Sequence, residues 1–197
     1  MKLKLLFCGF LILGISTAIF AAPDVEKSSP LKNAVILIIR HAEKPDDGSG
    51  LSADGKTRAQ AYVNYFKNFT VNGQPLKLTW LFVAADSKKS RRSRLTIEPT
   101  SQALGLPMDS RFKDKNFQEL AGEIQSRPHG TGILIVWHHE KIPDLLRALG
   151  TDPNQVIPNS KWPEDVFGWL IELRYDEKGQ LSEIKRINEK LMPDDSR

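Results

Sequence analysis

The sequence predicts an α/β fold: a single three-layer α/β/α domain with a mostly parallel central sheet and an antiparallel C-terminal hairpin. The first observation is an alternation of apolar runs with helical patterns, which is typical of parallel sheets covered on both faces. The second is the pair of apolar runs at 167–175 and 181–187, which flank a turn ending in Gly179. The third is the length, since 197 residues fill one domain and are too few for two ordinary ones.

The predicted elements follow one another in a regular order. The helix predicted at 54–69 carries a stripe of apolar side chains, and Ser52 or Asp54 is placed to cap its start. Because ligands bind beyond the carboxyl ends of parallel strands, we expect a site at that edge of the sheet. The strands are predicted at 34–39, 78–84 and 133–137, and the other helices at 93–104, 117–126 and 142–149.

The N-terminal part of the chain is expected to lie outside the domain. Residues 1–22 place two lysines ahead of an uncharged apolar run that ends in small residues, which is the layout of a secretory signal peptide. Residues 23–33 are polar, carry two prolines and form the predicted linker to a domain at 34–190. We therefore expect a periplasmic or secreted protein, with an uncleaved membrane anchor as the alternative.

Cysteine content and charge exclude several classes of function. The only cysteine is Cys8, so removal of the predicted signal peptide would leave no thiol for catalysis, disulfides or metal binding. The formal net charge of +4 includes Lys2 and Lys4, and the remaining excess of basic residues is small. We therefore expect no nucleic-acid partner, and no stable membrane association unless the N-terminal segment is retained.

Arginines and histidines follow two predicted strands and begin one predicted helix. The stretch VILIIRHAEKP runs five apolar residues into Arg40 and His41, and the later strand ends at His138 and His139. Arg92 lies at the start of the helix predicted near 93–104. Histidines at two strand ends of one sheet are what a shared site requires.

Four segments in this order resemble the histidine phosphatase superfamily, also called phosphoglycerate mutase-like. Residues 40–43, RHAE, are similar to the R-H-G-E signature, with Ala42 where glycine is usual. LSADGKTRA at 51–59 resembles L-[TS]-x-x-G-x-x-R-A, and RSRLT at 92–96 matches the spacing R-A-x-x-T. A small exported bacterial branch also has W-E-H-x-x-I-P and W-P-x-x-x-F, which WHHEKIP and WPEDVF resemble.

The resemblance implies a phosphatase that works through a phosphohistidine. His41 is then the nucleophile, Arg40 and Arg92 hold the phosphoryl oxygens, and His139 donates to the same oxygens. The commoner family spacing V-G-H-x-x-x-I-P would instead assign the last role to His138. Since positioning and cationic hydrogen bonds carry this chemistry, no metal and no cofactor are expected.

Two positions stay open at this point. Arg58 is either a further phosphate contact or a solvated helix arginine. Glu43 is either the proton donor to the leaving group or a structural partner of Lys44 or an arginine. Other acidic candidates are Glu119, Glu123 and Glu140.

We expect an exported phosphatase acting on a phosphomonoester, carried by a phosphorylated small molecule or a glycolipid. The alternatives are a phosphohistidine phosphatase and a non-catalytic module of the same fold that binds a phosphate ligand. Lys88, Lys89 and Arg91 are expected to form a solvated basic rim that attracts anionic substrates.

Overall fold

The computed structural model describes residues 31–196. The predicted signal peptide at 1–22 and residues 23–30 of the predicted linker lie outside this range. Within it, none of the helices is both long enough and apolar enough to cross a membrane.

Six strands form the central sheet, in the order β5-β4-β6-β1-β7-β8, and two form a separate hairpin. The strands are β1 (Val35–Arg40), β2 (Thr70–Val71), β3 (Gln74–Pro75), β4 (Trp80–Val83), β5 (Met108–Asp109), β6 (Gly132–Trp137), β7 (Trp169–Tyr175) and β8 (Leu181–Asn188). Strands β5, β4, β6 and β1 run parallel, whereas β7 and β8 are antiparallel. The predicted sheet is thus confirmed; β2, β3 and β5 were not predicted, because two-residue strands carry no periodic pattern.

Helices cover both faces of the sheet, which confirms the three-layer prediction. They are α1 (Ala53–Lys67), α2 (Arg92–Leu104), α3 (Phe117–Gln125) and α4 (Ile142–Ala148). Leu37 and Ile39 of β1 pack with α1 and α2, while Ile36 and Ile38 pack with α3 and α4, because successive strand residues point to opposite faces. Ser52 caps α1 as predicted, since its Oγ accepts from the Gly55 N–H at 3.1 Å.

Strand β1 lies in the middle of the sheet, between β6 and β7. Its four residues at 36–39 are fully buried, and each such side chain contributes about 1.5–3 kcal/mol of hydrophobic stabilisation. Arg40 ends the strand and His41 leaves the sheet. The charged motif is therefore attached directly to the central strand of the core.

The packed chain extends beyond the predicted bounds of 34–190. Leu31 is buried in the core, and the Asn33 N–H donates to the Asp176 carbonyl at 2.8 Å. At the other end, Asp195 is buried and contacts α1 through Arg58. The C-terminal segment 189–195 thus belongs to the domain.

Candidate active site

The carboxyl ends of β1 and β6 lie side by side and bring two histidines together. Arg40 is in register with Trp137, and the His41 N–H donates to the Trp137 carbonyl at 3.1 Å. The rings of His41 and His138 have centroids 5.2 Å apart in an edge-on arrangement. The pairing of two parallel strands therefore places these two imidazoles at one point.

His41 is buried and fixed in one tautomer. Its Nδ1 lies 2.7 Å from the Ala42 carbonyl oxygen. Because a carbonyl only accepts hydrogen bonds, Nδ1 carries the hydrogen and Nε2 keeps its lone pair. Burial, together with the charges of Arg40 and Arg92, lowers the pKa of His41 to about 3. The imidazole is therefore neutral at neutral pH, as a nucleophile must be.

Arg40 is a buried cation that donates to backbone carbonyls. Its Nη1 donates to the carbonyls of Pro163, Glu164 and Val166 at 3.2, 2.7 and 2.9 Å. Its guanidinium lies 3.8 Å from the centre of the Phe167 ring. Burial lowers the pKa of Arg40 to about 10, although nearby carboxylates oppose this, and its buried Nε has no partner among the described residues. An anion at this point would supply the missing hydrogen-bond acceptor.

Arg92 begins α2 at the edge of the same site. Thr96, one turn further on, accepts from the Ala42 N–H at 2.8 Å and donates to the Arg92 carbonyl at 2.7 Å. This pair of bonds ties the start of α2 to the segment after β1. The Arg92 Nη1 has only long contacts, 3.5 and 3.4 Å, to the carbonyls of Gly48 and Lys89. Burial lowers the pKa of Arg92, and its charge lowers the pKa of both His41 and His138.

The two adjacent histidines occupy different positions. His138 makes the ring contact with His41, and burial with the charges of Arg92 and Arg40 lowers its pKa. His139 begins a short 3-10 helix at 139–141, and burial with the charge of Arg40 lowers its pKa to about 4. The contacts favour His138 as the second histidine of the site, while the assignment of His139 from the sequence stays a prediction.

Ala42 fits its position without a glycine. Its φ is not positive, and its side chain is fully buried against Leu51, Ala59 and Leu95. Alanine therefore needs no strained backbone here and adds apolar contact. The departure from R-H-G-E is sterically accommodated.

Arg58 forms a buried ion cluster. Its side chain is 2% exposed, so the prediction of a solvated helix arginine was wrong. The reason is that carboxylates from the C-terminal segment cover the guanidinium. Its Nε and Nη2 donate to Glu43 Oε1 at 2.9 and 2.7 Å, and its Nη1 and Nη2 donate to Asp195 at 2.9 and 2.7 Å. Its Nη1 also lies 3.5 Å from Glu189 Oε2. These contacts use all five N–H groups of a guanidinium, so no donor remains for a phosphate.

Glu43 is the partner of an arginine, as one of its two readings predicted, and that arginine is Arg58. Its side chain is 18% exposed. Glu43 also lines a cleft of about 400 Å³ whose wall includes Phe167 and the C-terminal Met192 and Pro193. The centre of the Phe167 ring lies 6.4 Å from that of His41, but His41, Arg40, Arg92 and His138 do not themselves line this cleft.

The other acidic candidates do not line this cleft. Glu119 accepts a hydrogen bond from Asn116, and Glu123 pairs with Arg127. Glu140 is exposed. Glu43 is the one candidate of the four that faces the cleft.

Several side chains that contact the candidate site residues were not predicted from the sequence. Thr96 and Phe167 lie inside segments already recognised, RSRLT and WPEDVF, but nothing in their spacing indicated these contacts. Glu189 and Asp195 lie in a polar stretch with no periodic pattern. The one available signal was Arg58 next to Ala59 on the apolar side of α1, because a buried arginine requires counter-charges.

Metal ligands are not clustered in the described part of the chain. Between residues 31 and 196, no three His, Cys, Asp or Glu side chains are grouped so that they could hold a metal ion. The expectation that the reaction needs no metal or cofactor stays a prediction.

Comparison with known proteins gives likeness in structure only. No protein-family model and no curated protein sequence matches the chain significantly. A structure from Agrobacterium tumefaciens described as phosphohistidine phosphatase SixA is 16% identical, with a TM-score of 0.50, covering 77% of this chain and 97% of that one.

Two further structures have lower scores. The protein histidine phosphatase SixA complexed with tungstate is 16% identical, with a TM-score of 0.46 and coverage of 76% of this chain and 95% of that one. Phosphoglycerate mutase from Plasmodium falciparum is 14% identical, with a TM-score of 0.45 and coverage of 77% and 90%.

At such low identity the likeness concerns the fold. The Agrobacterium structure matches over most of both chains, and the mostly parallel sheet with its antiparallel C-terminal strands agrees with the fold predicted from the sequence. The chain therefore shares the α/β fold of the Agrobacterium structure described as phosphohistidine phosphatase SixA.

Proposed function

We propose that this protein is a phosphatase that hydrolyses a phosphomonoester through a phosphohistidine on His41. The observation that carries the proposal is the neutral, single-tautomer imidazole of His41 beside Arg40, Arg92 and His138. The guanidinium groups of both arginines have a buried Nε without a partner among the described residues. A phosphate dianion complements this arrangement in both charge and hydrogen bonding.

Binding places the phosphoryl group against the two arginines. Transfer spreads negative charge over the equatorial oxygens, and cations fixed in advance stabilise that charge. Arg40 is fixed by three carbonyls and the Phe167 ring, so it needs no reorganisation to receive the anion. His138 is neutral because its pKa is lowered, yet a neutral imidazole still donates one N–H to a phosphoryl oxygen.

In the first chemical step, His41 Nε2 attacks phosphorus, the N–P bond forms and the P–O bond to the leaving group breaks. The Nδ1–H stays bonded to the Ala42 carbonyl, which orients the ring and stabilises the charge that develops on it. The leaving oxygen takes a proton from an acid or leaves as a stable anion. In the second step, water attacks phosphorus, the N–P bond breaks, and inorganic phosphate leaves neutral His41.

The proposal is tested with the purified domain, p-nitrophenyl phosphate and EDTA. We expect hydrolysis that survives chelation and that falls by about 10³-fold or more in His41→Ala. Loss of activity with EDTA would point to a metal-dependent phosphatase. Phosphate binding without any turnover would point instead to the non-catalytic binding module.

The second histidine is tested by comparing His138→Ala with His139→Ala. The ring contact with His41 leads us to expect the larger loss of kcat in His138→Ala, about 10²-fold, as for removal of one transition-state donor. A larger loss in His139→Ala would return that role to His139.

Export belongs to the proposal and rests on the layout of residues 1–22. The substrate is then a phosphorylated small molecule or glycolipid in the periplasm or outside the cell. The exposed side chains of Lys88, Lys89 and Arg91 are consistent with attraction of such anions. Fractionation of cells expressing the full chain, with N-terminal sequencing, should find a shortened exported form; an uncleaved cytoplasmic form would contradict export and favour a phosphohistidine phosphatase of cytoplasmic proteins.

A further inference from the structure

Residues 162–168 form a strap that lies against Arg40. The carbonyl oxygens of Pro163, Glu164 and Val166 converge on Arg40 Nη1 at 3.2, 2.7 and 2.9 Å. Pro163 lies 123 residues beyond Arg40 in the chain, so the fold brings the two together and local sequence does not. The strap therefore holds one end of the guanidinium.

The strap is itself anchored at both ends. Trp162 is 2% exposed, and its Nε1–H donates to the Val166 carbonyl at 2.8 Å, to the same oxygen that accepts from the guanidinium. At the other end, the Gly168 carbonyl accepts from the Glu189 N–H at 2.8 Å. A Cβ added at Gly168 would lie 2.3 Å from the Asp195 side chain, so the C-terminal segment packs directly on the strap.

Phe167 is the side chain of the strap that lies on the guanidinium. The centre of its ring is 3.8 Å from Arg40 Cζ and 6.4 Å from the centre of the His41 ring. Phe167 is only half-buried, although its backbone neighbours are held on both sides. A flat guanidinium stacks favourably on an aromatic face, and such stacking sets the plane of the group.

These contacts leave one edge of Arg40 for an anion. Nη1 donates to carbonyls, the ring covers one face, and the buried Nε has no partner among the described residues. Nε and Nη2 lie on the same side of a guanidinium and form a fork that can hold two oxygens of one phosphate. Bonds at Nη1 alone leave the group free to tilt about that nitrogen. A ring packed on its face removes this freedom and fixes the direction of the fork.

We propose that Phe167 is a positioning residue whose ring sets the plane of the Arg40 guanidinium and so directs its Nε edge at the phosphoryl group. The inference rests on the proposed function. Phosphoryl transfer depends on cations that are fixed before the reaction begins, and a misplacement of about 1 Å can cost about 10²-fold in rate. Phe167 acts through Arg40, so its effect on the reaction should require the arginine.

The first test compares Phe167→Leu with the unchanged protein on p-nitrophenyl phosphate and glycerol 2-phosphate. We expect kcat/KM to fall about 10- to 10²-fold on both substrates alike, because the phosphoryl group is common to them. Phe167→Tyr keeps the aromatic face and should stay within about 3-fold of the unchanged protein.

The second test repeats Phe167→Leu in the Arg40→Lys variant. Lysine has no planar fork to orient, so the loss caused by Phe167→Leu should shrink to less than about 2-fold in this background. A ring that only supports the fold, or that contacts the leaving group, would cause the same loss in both backgrounds.

Trp80→Leu is the matched control. The Arg127 guanidinium lies 3.7 Å from the centre of the half-buried Trp80 ring, so this change also removes an aromatic ring from an arginine. Trp80 begins β4, whereas Arg40 ends the parallel strand β1, so the two rings lie at opposite edges of the sheet. The control should leave kcat/KM on both substrates unchanged.

Three results would overturn the positioning role: no loss in Phe167→Leu, an equal loss with and without Arg40, or a loss in Phe167→Tyr as large as in Phe167→Leu. If circular dichroism shows that Phe167→Leu does not fold, Phe167→Met decides by the same results, because it fills a similar volume without a ring. Absence of His41-dependent hydrolysis in the unchanged protein is a different result: it would reject the proposed function and this inference with it.

Discussion

Arg40 and Arg58 are both buried to within 2% of full burial, yet their surroundings differ completely. Arg40 donates to carbonyls and lies on an aromatic ring, and burial lowers its pKa to about 10. Arg58 donates to carboxylates, and hydrogen bonds to Asp195 and Glu43 outweigh its desolvation, so its pKa is raised.

The difference teaches how to separate a binding cation from a structural one. A buried arginine that donates to carbonyls and keeps a buried Nε without a partner among the described residues can still donate to an anionic ligand. A buried arginine already paired with carboxylates is satisfied, and removing it leaves those carboxylates unpaired. Both residues lie in sequence motifs of the same resemblance, so only their partners distinguish them.

The largest expected effect concerns the stability contributed by Arg58. Replacing it as Arg58→Met leaves Asp195 and Glu43 without their cation, and we expect the free energy of unfolding to fall by about 3–5 kcal/mol. Urea denaturation followed by circular dichroism measures this. Arg94→Met, at a partly exposed arginine paired with Asp86 and Glu98, is the control and should cost about 1 kcal/mol or less. An equal fall in the free energy of unfolding in Arg58→Met and Arg94→Met would contradict a structural role of the buried Arg58.

Arg40 should matter for activity more than for stability. Arg40→Lys keeps the charge but loses the planar fork, and we expect kcat/KM to fall about 10²–10³-fold. The matched control is Arg186→Lys, since Arg186 also donates to a carbonyl and lies 4.1 Å from the centre of an aromatic ring, but it is exposed. Activity in Arg40→Lys close to that of the control would show that Arg40 does not hold the phosphoryl group.

Inorganic phosphate or vanadate should stabilise the protein through Arg40 and Arg92. At a ligand concentration about 100-fold above Kd, the expected gain is about 2.7 kcal/mol, seen as a rise in Tm. The rise should be much smaller in Arg40→Lys and Arg92→Lys, while the exposed Arg186→Lys should keep it. An undiminished rise in both site variants would place the anion elsewhere.

A smaller effect is expected from the pH dependence of His41. Its pKa falls from 6.5 to about 3 on folding, so the unfolded chain takes up the proton first as pH drops. The stability that this group contributes is full above about pH 6.5 and is lost as pH falls towards about 3. Relative to His41→Asn, the unchanged protein should therefore lose roughly 1–2 kcal/mol between pH 7 and pH 5. Identical pH dependence in the two proteins would mean that His41 is solvated and protonates normally.

Much of this arrangement could be predicted from the sequence. Apolar runs located β1 and β6, and the polar residues that follow them lie at the neighbouring strand ends, because parallel pairing fixes that geometry. The motifs predicted Arg40 and His41 at the end of β1 and Arg92 at the start of α2. The burial of Arg58 in an ion cluster could not be predicted. It depends on Glu189 and Asp195, which lie far along the chain in a stretch without periodicity. The choice between His138 and His139 likewise depends on how β6 ends, which spacing alone does not determine.

The most direct test of the central claim is to trap the phosphorylated intermediate. The purified domain is mixed rapidly with p-nitrophenyl phosphate, quenched in alkali to preserve phosphohistidine, digested and examined by mass spectrometry. We predict a phosphoryl adduct on the peptide that contains His41, formed before steady turnover and absent in His41→Ala. Turnover with no adduct, or with the adduct on His138 or His139, would contradict the assignment of His41 as the nucleophile.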